Sequence, residues 1–180
     1  MRPQVLFFAK PTVLALFLSA IAAMPQSLRA DEKPIFGDLN GISCKGAGDS
    51  AYPGFAVASF SFGDSLATSS ATGSGGSAGK PDFQDISLTK DLDDCTPLLF
   101  EAVAKGSHLP SATITVVSKG NKGPVLVIQL TDVIVTSDKF TEGAAKELDE
   151  VVTLSYTKIT ITHVPSGNKV TIDRATNTTS

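Results

Sequence analysis

Residues 124–136, PVLVIQLTDVIVT, are apolar on both parities of an extended chain. Leu126, Ile128, Leu130 and Ile134 fall on one side, and Val125, Val127, Val133 and Val135 on the other. Successive strand residues point to opposite faces, so a strand of this kind needs cover twice. A core serves one side, and a helix or a second subunit serves the other. Val125, Val127, Val133 and Val135 are therefore the candidate subunit-interface residues.

The segments around this strand also read as strands. Residues 35–42 (IFGDLNGI) and 55–62 (FAVASFSF) are short ones, separated by a Gly/Ser/Asp-rich loop that ends at Pro53-Gly54. In 82–90 (DFQDISLTK), Ile86 and Leu88 share a face against Asp85, Ser87 and Thr89. In 111–118, Ile114 and Val116 stand together. Residues 150–164 begin with Val152, Leu154 and Tyr156 on one parity and continue with Ile159 and Ile161 on the other. That switch predicts a β-bulge or sharp bend near Thr157-Lys158. A turn at Pro165–Asn168 leads to a last strand at 169–173, and 174–180 is expected to be a frayed polar tail.

Two segments break the pattern. Residues 63–81 collapse to Gly, Ser, Ala and Thr and are expected to be a long flexible loop, of the kind that is functional or disordered. Residues 97–105 predict a helix. Thr96 is an expected N-cap, Pro97 suits N1, Lys105 suits the negative end and Gly106 can stop the helix. Leu99, Ala102 and Val103 form its apolar stripe, widened by Leu98 and Phe100. The fold class is mainly β: a small antiparallel β-barrel or two-sheet sandwich of about seven strands with one short flanking α-helix.

The first thirty residues stand apart. Arg2 and Lys10 precede the apolar run Val13–Ala23, and small residues lead to Ala30. This is the layout of a secretory signal peptide, with a run too short to span a bilayer. Cleavage after Ala30 leaves Leu28 at the −3 position; cleavage after Ala22 fits the small-residue rule better through Ala20 but leaves a ragged apolar end. The expected organisation is thus a signal peptide over 1–30, a β-domain over 31–174 and a polar tail over 175–180.

Residues 31–180 retain 12 basic and 18 acidic residues, a net charge of −6. That sign disfavours nucleic acid and anionic lipid as partners through bulk charge. No second apolar run is long enough for a membrane span. Export to an oxidising compartment makes Cys44 and Cys95 a candidate disulfide. Two separate thiols are the alternative, because sequence does not fix the Cα distance.

The sequence offers no catalytic, cofactor or metal constellation. Neither His108 nor His163 stands beside a plausible nucleophile or at metal-ligand spacing from another donor. A calcium loop starting at Asp91 would need glycine where Thr96 stands. Gly79-Lys80 fails as a phosphate loop because Ser74 and Pro81 occupy the required Gly and Ser/Thr positions. Asn177-Thr178-Thr179 is a glycosylation sequon.

Residues 80–112 carry a resemblance. Lys80-Pro-Asp-Phe-Gln84-Asp85-Ile-Ser87-Leu-Thr89-Lys90, then Asp94-Cys-Thr96-Pro97-Leu98, then Gly106-Ser-His108-Leu-Pro110-Ser-Ala112, resemble the haemolysin-coregulated protein (Hcp) family, the inner-tube proteins of type VI secretion systems. Asp132–Ser137 and Glu150–Ile159 also look like that family, in the same order, so the resemblance runs over about 35–164. It implies a β-barrel with a flanking helix that assembles into hexameric rings stacked as a tube. It implies a loop, here about 43–54 or 63–81, that reaches a neighbouring copy, and a lumen that carries small secreted effectors. Family members are normally made without a signal peptide. The reading is therefore a non-enzymatic, exported, Hcp-like ring protein, secreted or periplasmic, without cofactors, whose partners are itself and type VI components or effectors. The alternative is a secreted monomeric binding module for a protein or carbohydrate.

Overall fold

Alternating β-branched and polar residues suit a half-buried pleated surface, and such segments form the strands His108–Val117 and Leu148–His163. The computed structural model describes residues 34–44, 51–69, 77–119, 123–142 and 148–180. All of them belong to the compact unit Glu32–Ser180. The signal-peptide segment, residues 1–30, lies outside the described residues.

The strands are β1 (Ile35–Leu39), β2 (Phe55–Val57), β3 (Ser59–Ser61), β4 (Asp64–Ser69), β5 (Ser77–Phe83) and β6 (Ile86–Asp91). Helix α1 (Thr96–Lys105) follows, then β7 (His108–Val117), β8 (Pro124–Glu142), β9 (Leu148–His163), β10 (Asn168–Asp173) and β11 (Thr178–Thr179). All pairings are antiparallel. The main sheet runs β11-β10-β9-β8-β7-β1-β2, with β6 joining β9 to β3. Only Ala58 separates β2 from β3, and its N–H donates to the Thr89 carbonyl at 2.8 Å. The chain thus steps from the edge of β1 to the edge of β6. That step closes the ring β1–β2/β3–β6–β9–β8–β7 and removes most open edges. The interior is filled by Ile86, Leu88, Leu99, Ile114, Ile128, Leu130, Val152, Leu154 and Ile159, all 0–2% exposed.

The inward parity changes along one line through three neighbouring strands. It passes from Leu109 to Ala112 in β7, from Leu130 to Val133 in β8, and from Tyr156 to Ile159 in β9. Pro110, Asp132 and Thr157 occupy that line. The pairs on both sides, Leu109–Val133–Tyr156 and Ser111–Thr131–Lys158, keep one register. Proline has no N–H to give a ladder. Asp132 adopts φ +55°, a left-handed conformation that Asp tolerates better than most residues. Thr157 Oγ1 donates to the Thr131 carbonyl at 3.1 Å. The sheet therefore turns a corner without slipping its ladder. β9 does switch its buried parity at Thr157-Lys158, as part of a corner three strands wide.

This corner corrects the reading of residues 124–136 as a strand with one face on the core and the other, carrying Val125, Val127, Val133 and Val135, covered by a helix or a second subunit. Val133 and Val135 are 0% and 2% exposed in the core, because the bend at Asp132 turns them inward. They cannot line a subunit interface. Val125 and Val127 are half-buried, on the opposite parity from Ile128.

Three further expectations change. The segment 63–81 contains β4 and most of β5, which pair as a hairpin in a two-stranded sheet of their own; residues 70–76 lie outside the described set. The tail 174–180 folds back instead of fraying. Asp173 Oδ1 accepts from the N–H groups of Ala175 and Thr176, and Thr171 and Ser180 exchange backbone bonds at 2.8 and 2.9 Å. Helix α1 is capped at Cys95, whose sulfur is in a disulfide and makes no cap bond, while Thr96, the expected cap, is the first helical residue and its hydroxyl is engaged with Glu150. Its C-terminus closes at Gly106, at φ +59°, where Gly106 and Ser107 donate to the Val103 and Ala102 carbonyls.

Candidate assembly surface

The β4–β5 hairpin lies outside the barrel sheet. Pro81 and Leu66 pair in it, and Leu66 is half exposed. An isolated two-stranded hairpin is marginal in water, so this one depends on what anchors its base. Other large apolar side chains also face solvent. Phe100 of α1 stacks on Phe140 of β8 with centroids 6.4 Å apart, and both are about half exposed, as is Leu148 of β9.

At Glu150, the ladder partner of Phe140, lies a charge cluster that the sequence reading missed. Lys90 and Glu150 are directly opposed across β6 and β9 and both are 0% exposed. Lys90 Nζ donates to Glu150 Oε2 and Asp93 Oδ1 at 2.8 Å each and to the Asp91 carbonyl at 2.7 Å. It also lies 5.5 Å from the centre of the Phe55 ring. Thr96 Oγ1 donates to Glu150 Oε2 and accepts from the Asp93 N–H. Asp93 Oδ1 accepts from the Cys95 N–H. These bonds fasten the start of α1 to the barrel. Glu150 Oε1 and both carboxylate oxygens of Asp138 are buried without a donor. Asp138 is pushed up to about 6 by burial first and by the Glu150 charge second, against the opposing pull of Lys90.

Cys44 and Cys95 are joined by a disulfide, with Cα atoms 5.0 Å apart. It ties the segment after β1 to the N-cap of α1. Between that segment, α1 and the start of β7 lies a cleft of about 530 Å³ lined by Ile42, Leu98, Glu101, Lys105, His108 and Leu109, among others. His108 Nδ1 lies 3.3 Å from Asp132 Oδ1, and both side chains are more than half exposed. His163 Nδ1 is 2.8 Å from Ser166 Oγ in the exposed turn after β9. Each histidine thus has a polar neighbour, one a carboxylate and the other a hydroxyl, but the two pairs belong to different parts of the barrel. Among the described residues no group of three or more His, Cys, Asp or Glu is arranged to hold a metal ion. No described helix is long and apolar enough to cross a membrane.

Comparison with known proteins agrees with this architecture. The family model described as type VI secretion system effector, Hcp, matches residues 39–163. Protein hcp1 of Pseudomonas aeruginosa is 37% identical over 89 residues, a match covering 48% of this chain and 55% of that protein. The chain thus spans about half the length of that curated relative. Hcp1 from Salmonella typhimurium superposes with a TM-score of 0.68 at 23% identity, covering 83% of this chain and 99% of that one. Secreted protein Hcp3 from Pseudomonas aeruginosa superposes at 0.61 with 20% identity, covering 78% and 97%. At such identities the superpositions speak for the fold, and the family match carries the assignment. By that match, across more than two thirds of its length, the chain belongs to the Hcp family of type VI secretion proteins.

Proposed function

We propose that this protein is an exported, non-enzymatic subunit that self-associates into rings, six copies being the number the family resemblance implies, and that the rings stack. The observation that carries the reading is the β4–β5 hairpin. It is a ribbon with its own two-stranded sheet, set off from the barrel and carrying a half-exposed leucine at position 66. Such a ribbon gains stability by docking. The apolar residues Phe100, Phe140 and Leu148 supply further area for contact between copies. Val125 and Val127 remain interface candidates on the outer parity of β8. Secreted effectors held within the ring, or other type VI components, are the further partners this reading supplies.

Residues 1–30 act here as a cleaved export signal that delivers the domain to a compartment where Cys44 and Cys95 oxidise. Light scattering on the protein starting after Ala30, with and without residues 66–81 replaced by a short Gly-Ser link, tests the reading. Multimers that weaken when the hairpin is shortened support it. A strict monomer at high concentration contradicts it. The cleft beside α1 favours a second reading, a monomeric binding module, which such a monomer with a ligand in that cleft would establish.

A further inference from the structure

The hairpin leaves the barrel after Gly63 and returns through Phe83, Gln84 and Asp85. Its return limb is held by groups from distant parts of the chain. Arg174, the first residue after β10, places its guanidinium carbon 4.6 Å from the centre of the Tyr156 ring. Nη2 donates to the Phe83 carbonyl at 2.6 Å. Nη1 donates to Asp85 Oδ1 and to the Tyr156 carbonyl, each at 3.1 Å. The Tyr156 hydroxyl donates to the Gln84 carbonyl at 3.1 Å. The Gln84 N–H donates to the Gly63 carbonyl at 2.9 Å and so joins the two limbs at their base. Three consecutive residues of the return limb are thus each gripped by Arg174 or Tyr156.

The grip has a fixed direction. The Arg174 side chain is three-quarters buried, and its backbone N–H donates to the Thr157 carbonyl at 2.9 Å, on the corner line of the sheet. A guanidinium is a planar fork whose donors diverge at set angles, and it stacks on an aromatic face while it donates. It therefore relates the limb to β9 in angle as well as in distance. A lysine ammonium lacks the fork and the flat face. The C-terminal turn that presents Arg174 is itself closed by Asp173 and by the β10–β11 pairing.

We propose that Arg174 is the positioning residue of the β4–β5 hairpin. It sets the direction in which the hairpin projects from the barrel, and with it the fit of the hairpin against a second copy of this chain. The second half of this statement rests on the self-association reading above.

The test compares wild type, Arg174→Gln, Arg174→Lys and the milder Asp85→Asn by hydrogen exchange and native mass spectrometry. In Arg174→Gln, amides of β4 and β5 are expected to exchange about tenfold faster, while the core amides of β8 and β9 keep their rates. Self-association weakens by a similar factor. Arg174→Lys recovers little of either, and Asp85→Asn shows a smaller acceleration confined to the hairpin. Unchanged hairpin exchange in Arg174→Gln overturns the proposal. So does equal acceleration of hairpin and core, which marks a residue that merely stabilises the whole. If Arg174→Gln does not fold, hairpin exchange in Asp85→Asn decides in its place. Looser hairpins with undiminished self-association overturn the link to assembly. A wild type that never associates overturns the self-association reading, and hairpin exchange then decides the positioning role by itself.

Discussion

Lys90 and Glu150 are the residues on which this barrel end turns. Taking two charges out of water is costly, and removing one partner leaves the other uncompensated. Lys90→Met should therefore destabilise the protein by about 3–5 kcal/mol in urea unfolding, since Glu150 would remain buried without its cationic partner. Asp138 adds a pH dependence. Its folded-state value lies at about 6, above the ordinary 3.8. The folded protein thus binds more protons than the unfolded chain between these values, and stability falls as pH rises through that window and then levels off. A protonated Asp138 can donate to Glu150, whose Oε1 lacks another donor. Asp138→Asn, with a permanent N–H donor, should flatten the profile and raise stability at pH 8 by about 1 kcal/mol. Urea midpoints at pH 5 and pH 8 for both proteins measure this. None of these roles shows in the sequence, because Lys90 and Glu150 meet only through the register of β6 on β9.

At the scale of elements, local signals carried well and long-range ones did not. Pro97, Lys105 and Gly106 marked helix α1 because capping and proline chemistry act within a turn. Alternation marked β7 and both halves of β9. The bend also left a trace, the parity switch at Thr157-Lys158. The same switch in β8 was misread as two apolar faces, because a strand whose inward parity changes midway has the composition of one covered on both sides. Asp132, left-handed within the run PVLVIQLTDVIVT, was the local clue. The β4–β5 hairpin was hidden by its Gly/Ser composition, and the closed tail by its polarity. For the proposed assembly surface, the resemblance offered 43–54 or 63–81, of which the second holds the hairpin, but no sequence signal pointed to Arg174, which lies 89 residues from Asp85. The disulfide makes a prediction here. It closes a separation of 51 residues. Replacing both cysteines by serine should cost roughly 4 kcal/mol in the chain-entropy model, read from urea unfolding. Loosened exchange protection should concentrate at the start of α1, whose N-cap is Cys95.

The whole molecule combines a type VI family barrel with an N-terminal segment that has the layout of an export signal. Expression in a bacterium, followed by N-terminal sequencing of protein recovered outside the cytoplasm, should give a mature start at Asp31 or Ala23. Recovery of the protein only in the cytoplasm and starting at Met1 would contradict that assignment. Association is the central claim, and it rests on a hairpin that pairs with no other strand among the described residues. Native mass spectrometry of the oxidised mature protein tests it most directly. The account predicts a closed multimer, six copies in mass, at micromolar concentration. A single copy at every concentration up to the solubility limit would contradict it.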